Sequence, residues 1–331
     1  MRIPGLKRLK MATRWLRSRV VGGALILGYH RVAEDDRDPY GNCVSPQHFA
    51  EQLAVLRQST RVMRLHELVL GLQHGRVPRK AVAIAFDDGY ADNLYTARPL
   101  LERYEVPGTV FIATGYMGRA FWWDELASIL LGSTALPKRL FLPVAGGIYQ
   151  WEADDTAKKP AKSAIPAAGQ RLLWSLYHRL QPLPTGVRQQ ALQHLRAWAG
   201  VEAEDRSAPR GMVPAEVMRL AEDGLVEIGA HSVTHPLLAT LAIEAQQSEI
   251  QQSKQHLEQL LVRPVHGFAY PHGSATPSTR HIVQETGFAW ACASFNDVAW
   301  SGSNPFNLPR FWVPDWDGTR FSQWLERWVN G

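Results

Sequence analysis

Short apolar runs and longer stretches with helical spacing take turns along the chain. Ala24-Leu25-Ile26-Leu27-Gly28-Tyr29 reads as a buried strand. So does Ala81-Val82-Ala83-Ile84-Ala85-Phe86, which ends at the turn signal Asp87-Asp88-Gly89. Helical spacing follows at Leu94, Ala97, Leu100 and Leu101 and stops at Val106-Pro107-Gly108. Further strands are expected at 109–112 and 226–230, then a long helix around 242–262. Strands near 266–269 and 288–292 flank a helix around 277–286. Strands alternating with helices predict an α/β fold with a mostly parallel sheet.

The rhythm breaks between about 132 and 212. Residues 133–167 are rich in Pro, Gly, Ala and Lys and read as loops with at most a short hairpin. Two helices follow at roughly 168–181 and 187–199, with Leu172, Leu173, Leu176, Leu180, Leu192, Leu195 and Trp198 as apolar stripes. No second set of strands accompanies them. The expected organisation is therefore a basic arm at 1–23 and one domain at 24–331 that carries a helical insertion at about 132–212.

Composition narrows this picture. The chain has 331 residues, 45% hydrophobic and 20% charged, an ordinary globular balance that excludes disorder or coiled coil as the main architecture. Two cysteines, Cys43 and Cys292, exclude a disulfide framework and a multi-cysteine zinc site. The net charge is +5, yet eight cations precede the first acidic residue, Glu34: Arg2, Lys7, Arg8, Lys10, Arg14, Arg17, Arg19 and Arg31. Without them the remaining chain is slightly acidic. A nucleic-acid binder should instead spread its cations over one face of the fold, so no nucleic-acid partner is expected.

The arm itself has several readings. The apolar stretch 20–28 is far shorter than the ~20 residues of a spanning helix. It would fit the apolar part of a signal peptide, but it runs into Tyr29-His30-Arg31 without a small-x-small cleavage pattern. Residues 1–28 as an uncleaved signal stay open. Leu6, Leu9, Trp15 and Leu16 among the cations suit either a helix lying on a membrane or a solvated terminus. The expectation is a cytoplasmic protein at the inner face of the membrane, with peripheral contact through residues 1–20 and an exported location not excluded.

Three clusters fall where strands end, the usual place for sites in parallel α/β folds. Asp87-Asp88 offers two carboxylates that can divide labour between binding a metal and acting as a base, although Asp-Asp-Gly alone also reads as a solvated turn. His231-Ser232-Val233-Thr234-His235 carries two histidines four apart, which share a face if the segment turns helically. Alone, they also read as polar loop residues. Two histidines and one aspartate make a donor set with open positions, the pattern of a catalytic metal. Tyr270-Pro271-His272-Gly273 is a tight turn whose backbone N–H groups face either a ligand or nothing but the turn itself.

These motifs resemble the polysaccharide deacetylase family, the NodB-homology fold of carbohydrate esterase family 4. The resemblance covers about 24–131 and 212–318. Phe86-Asp87-Asp88-Gly89 matches its first motif and His231 to His235 its second. It implies a distorted (β/α) barrel of the NodB-homology type with a helical insertion. It also implies Asp87 as general base and a divalent metal, most often zinc, held by Asp88, His231 and His235. The third motif departs from the common form, because Ala269 stands where most members have an arginine.

The form Phe268-Ala269-Tyr270-Pro271 is similar to the branch of poly-β-1,6-N-acetylglucosamine deacetylases. That branch carries a Tyr-His motif, matched by Tyr29-His30, which implies His30 as general acid. Arg310, in Leu308-Pro309-Arg310-Phe311, is either a replacement for the missing guanidinium or a surface residue of a C-terminal loop. Trp122-Trp123-Asp124 also resembles this branch; the aromatics suit either sugar stacking or an ordinary core. His272, Tyr270, Trp123, Asp124 and Arg310 are thus the candidates for oxyanion and substrate contact. The implied partner is an N-acetylated glycan or lipid-linked sugar, and the implied reaction is metal-dependent removal of acetyl from an N-acetylhexosamine. An inactive carbohydrate-binding or assembly protein on the same fold is the alternative.

Overall fold

A computed structural model describes residues 23–35, 38–132, 136–153, 167–201 and 209–329. Residues 1–22, nearly all of the basic arm read at 1–23 and the whole of the membrane contact read at 1–20, lie outside the described residues; of the signal reading at 1–28 only 23–28 are described, as part of the first strand. The chain forms two compact units, one from Met1–Glu34, Asn42–Gly115 and Met212–Gly331, the other from Asp35–Gly41 and Tyr116–Gly211, each through its described residues. In chain order the strands are β1 (Gly23–Tyr29), β2 (Arg31–Val32), β3 (Cys43–Val44), β4 (Arg61–Val62), β5 (Ala81–Phe86) and β6 (Gly108–Ile112). They continue as β7 (Arg139–Val144), β8 (Gly147–Glu152), β9 (Val226–Ala230), β10 (Gly267–Ala269), β11 (Trp290–Cys292), β12 (Ala299–Trp300) and β13 (Phe311–Trp312).

The first unit is organised on one sheet in the order β11-β10-β9-β6-β5-β1-β12, with β13 also beside β1 and β4 beside β5. Every pairing in it is parallel except β1–β12. Leu308 bridges Cys292 at the end of β11, and three residues further on β13 begins and pairs with Leu27 and Gly28 of β1. The stretch 308–312 therefore draws the two sides of the sheet together into a curled half-barrel.

Alternation along the strands decides what fills it. Ala24 and Ile26 of β1 and Ala81, Ala83 and Ala85 of β5 face one core with Phe111, Ala269, Trp290, Cys292 and Leu308. Leu65, Leu68, Val69 and Leu72 of helix Leu65–Gln73 complete it. Small residues on β5 leave room for the aromatics opposite. The other face of the sheet turns Tyr29 and Phe86 toward Phe49 of helix Pro46–Ser59. Both faces of β5 are buried, which is why its sequence is a continuous apolar run.

Segment 314–316 is tied to the end of β1 through Gln52, which accepts from the Tyr29 hydroxyl and donates to the carbonyls of Pro314 and Trp316. Asp315 accepts from Ser45 N, Ser45 Oγ and His48 Nδ1, so it anchors the start of helix Pro46–Ser59.

One predicted helix is interrupted. The stretch starting near Leu94 forms a widened turn, Asn93–Ala97, before helix Arg98–Arg103. Pro99 has no N–H to give to Tyr95, so the regular ladder cannot run through it.

In the second unit, β7 and β8 form an antiparallel hairpin with Arg139 opposite Glu152 and Val144 opposite Gly147. Leu140, Leu142 and Val144 are buried while Phe141 is exposed. Helices Ala167–Leu180 and Thr185–Ala199 pack with helix Trp122–Gly132. That helix buries Leu126, Ile129 and Leu130, so the unit begins well before the insertion boundary read at residue 132. Bridges Met117–Gly211 and Ala120–Arg210 join its two ends. Among the described residues no helix is long and apolar enough to cross a membrane.

Candidate active site

The site of the first unit stands at the carboxyl ends of β1, β5, β9 and β10. Asp87 follows β5 directly, and its N–H donates to Tyr29 O at 2.9 Å. The β1–β5 register, with Tyr29 opposite Phe86, therefore sets its place. Asp88 and Gly89 both take positive φ, 73° and 81°, and turn the chain sharply. A Cβ at Gly89 would lie 2.6 Å from Ile112 Cδ1 and would push that side-chain end aside.

The histidine motif is not a helical turn. It is an irregular loop in which Ser232 and His235 adopt left-handed φ values of 61° and 54°. The imidazoles converge because those two residues fold the loop back, not because of helical periodicity. Glu249, on helix Ile243–Leu261, holds the loop by accepting from Val233 N, Thr234 N and Thr234 Oγ1 at 2.9, 2.8 and 2.6 Å. Ser232 Oγ accepts from His235 N at 3.1 Å. Of the eight non-glycine residues with positive φ among the described residues, four are Asp88, Ser232, His235 and His272. Backbone strain of this kind gathers where a site over-determines the chain.

Asp88, His231 and His235 meet below the surface. Asp88 Oδ1 lies 3.2 Å from His235 Nε2 and 3.6 Å from His231 Nε2, and one donor atom from each residue fits within a 4.8 Å span. Asp88 Oδ1 is buried without a hydrogen-bond donor. His231 Nδ1 donates to the carbonyl of Ala269 at 2.8 Å, which turns the lone pair of Nε2 toward Asp88. Burial pushes the His231 pKa down to about 4, so the ring is neutral. Burial also pushes the Asp88 carboxyl up. A carboxylate oxygen without a donor between two imidazoles fits a divalent cation, and zinc suits nitrogen and oxygen donors of this kind.

Asp87 sits in a different environment although it is the next residue. Arg310 Nη1 and Nη2 donate to its Oδ1 and Oδ2 at 2.6 and 2.7 Å, while Arg310 Nε donates to Ala293 O at 3.0 Å. The guanidinium is completely buried, with Trp312 and Phe111 ring centroids 4.8 and 5.5 Å away. The closing stretch 308–312 delivers it. Burial alone would raise the Asp87 pKa, but the Arg310 guanidinium outweighs it and holds the carboxyl well below the usual range.

His30 follows β1 and is half-buried. Its ring stacks on Trp312 with centroids 4.3 Å apart and planes at 15°. Asn93 Nδ2 donates to its carbonyl at 2.9 Å, and the Arg31–Asp92 ion pair at 2.9 Å fixes the next residue. Burial lowers the His30 pKa, and Asp88 and Asp87 oppose that shift.

The remaining candidates divide. His272 is exposed at φ 55°, with its ring edge-on to His235 at 4.4 Å. The N–H groups of Gly273 and Ser274 close the turn onto Tyr270 O and Pro271 O. Tyr270 is wholly buried; its N–H donates to Cys292 O and its hydroxyl to Phe306 O. Its side chain anchors the turn, so a substrate contact through that side chain is not what the fold provides. Trp123 and Asp124 belong to the second unit, on the first turn of helix Trp122–Gly132. There Trp123 stacks on Phe121 at 4.7 Å and is 4% exposed, a core position. Trp312, Asn93 and Glu249 were not singled out by the sequence; the signal that could have found Trp312 is its place two residues after Arg310.

Fold and site together define an α/β half-barrel whose carboxyl end pairs an arginine-clamped carboxylate with an Asp–His–His cluster. The family model for polysaccharide deacetylases matches residues 74–133 and 189–291, and the chain belongs to that family. Poly-β-1,6-N-acetyl-D-glucosamine N-deacetylases of Staphylococcus aureus and Staphylococcus epidermidis are 30% and 29% identical to it over 108 residues. These matches take in 29% of this chain and 37% of each relative's length. Among solved structures, the deacetylase PplD of Streptococcus pyogenes, in complex with acetate, superposes with a TM-score of 0.60 at 16% identity, covering 92% of this chain and 98% of that one. IcaB from Ammonifex degensii gives 0.59 at 19% identity, covering 92% and 97%. At such identities these two show the shared fold.

Proposed function

We propose that the chain is a metal-dependent deacetylase that hydrolyses the N-acetyl amide of an N-acetylhexosamine unit in a polysaccharide or glycolipid. The observation that carries this reading is the opposite treatment of two adjacent carboxylates. Asp87 is clamped by a buried guanidinium, and Asp88 is left between two imidazoles without a donor. A carboxylate kept ionised but off the metal is what a general base requires.

Asp88, His231 and His235 would hold the ion, which when bound supplies a water of lowered pKa and a Lewis acid for the acyl oxygen. Asp87, kept ionised by Arg310, takes the proton from the attacking water. His30 in its protonated form delivers a proton to the departing sugar nitrogen, which is too basic to leave as an amide anion. The turn at His272, whose ring lies beside His235, would meet the acyl group. Trp123 and Asp124 enter no step.

The names of the staphylococcal relatives support a β-1,6-linked N-acetylglucosamine polymer as the first substrate to test, with a lipid-linked N-acetylhexosamine as the second. Retention of Asp87, Asp88, His231 and His235 together argues against an inactive binding protein. Purified wild-type protein is expected to bind about one zinc ion per chain. Asp88→Ala and His231→Ala are each expected to lose it while keeping the wild-type circular dichroism spectrum. Unchanged zinc stoichiometry in both would remove these residues as ligands.

A further inference from the structure

The geometry points to Trp312 as a positioning residue that sets both the donor His30 and the base-holding Arg310. This inference rests on the reading of His30 as the proton donor. Residues two apart on a strand share a face, so Gly28 and His30 at the end of β1 lie on one side, as do Arg310 and Trp312 along the closing stretch. β13 pairs with β1 so that Gly28 stands opposite Trp312, and Val313 N donates to Gly28 O at 3.0 Å. The backbone that carries the indole is thus pinned to β1. It stacks on the His30 imidazole at 4.3 Å and 15° and lies under the Arg310 guanidinium at 4.8 Å.

One ring therefore touches the side chain assigned to give the proton and the side chain that clamps the base. A tilt of the indole would move both. Gly28 is what lets the ring lie flat there. A Cβ at this position would stand 2.8 and 2.9 Å from Trp312 Cε3 and Cζ3, closer than real carbon contacts allow. Gly28 thus has a reason beyond strand packing: it makes space for the indole two residues before the histidine that the indole supports.

A ring that merely fills the gap between β1 and β13 would predict a loss of stability alone. A positioning role predicts a loss of kcat with KM and metal content retained. The test compares Trp312→Ala, Trp312→Phe, Gly28→Ala and the double variant Gly28→Ala/Trp312→Ala, with His30→Ala alongside. Acetate release from N-acetylated β-1,6-glucosamine oligomers, bound zinc and Tm are measured on each full-length protein.

Trp312→Ala is expected to lower kcat on the order of 100-fold, because small displacements of reacting groups have costs of that size, with KM and zinc near wild type. Trp312→Phe should restore most of the rate. Gly28→Ala should lower kcat as Trp312→Ala does, although it removes no functional group. In the Trp312→Ala background it should cost nothing further, since the ring it displaces is gone. If Trp312→Ala fails to fold, Trp312→Leu, which keeps apolar volume without a stacking face, carries the same expectation. Wild-type kcat in His30→Ala would overturn the donor reading itself. An inactive His30→Ala beside wild-type kcat in folded Trp312→Ala or Trp312→Leu would overturn the role of Trp312.

Discussion

Asp87→Asn is expected to lower turnover by about 10²–10⁴-fold, the span a positioned general base supplies. The amide has the carboxylate's shape but not its basicity, and it can face Arg310 with one oxygen only. Its ligand neighbours are untouched, so zinc binding should persist in the inactive protein. Stability should fall as well, by about 3–5 kcal/mol, because a fully buried guanidinium loses its counter-charge. Acetate release, bound zinc and Tm on one preparation check all three effects. An Asp87→Asn protein with wild-type turnover would remove Asp87 as the base.

Arg310→Met is expected to be comparably damaging through the opposite partner. It leaves Asp87 buried with no guanidinium, and burial then pushes the carboxyl up where the ion pair had held it down. At neutral pH the variant should be about 3–5 kcal/mol less stable. In the wild type the folded Asp87 pKa lies below the unfolded one, so its stabilisation is complete above the unfolded carboxylate range and is lost as pH falls through the folded value. In the variant the folded pKa lies above the unfolded one, so the folded state takes up a proton and is relieved as pH falls. The Tm gap between the two proteins should therefore narrow on going from about pH 8 to about pH 5. The acid limb of the variant's residual activity should also move to higher pH. A Tm gap independent of pH would show that the pair is not what keeps Asp87 ionised. Arg310→Lys should recover part of the stability, since it restores the charge without the two-pronged contact.

The elements that present the chemistry are those most legible in the sequence. β1, β5 and β9 are buried runs, and the apolar signal stops where Asp87 and His231 begin. The closing stretch was less legible. β12 and β13 have two residues each, too few for any periodicity, and their partner β1 lies nearly the whole chain away. Arg310 was visible only as a guanidinium in search of Asp87, and nothing in the sequence singled out Trp312. The convergence of His231 and His235 rests on left-handed backbone at Ser232 and His235, and serine does not advertise that conformation. The burial of Tyr270 and Trp123 was equally hidden, because an aromatic beside a motif looks the same whether it lines an opening or fills a core. The membership of helix Trp122–Gly132 in the second unit was not legible, since it continues the strand–helix rhythm in sequence while packing with the helices that follow.

The most direct test of the central claim measures acetate and free amine released from β-1,6-linked poly-N-acetylglucosamine, and from a lipid-linked N-acetylhexosamine, by the same protein preparation. Equimolar acetate and amine are expected from at least one of them. Release should stop after chelation, return with added zinc, and be absent with Asp87→Asn that still binds zinc. Release that continues undiminished after chelation, or in Asp87→Asn, would contradict it.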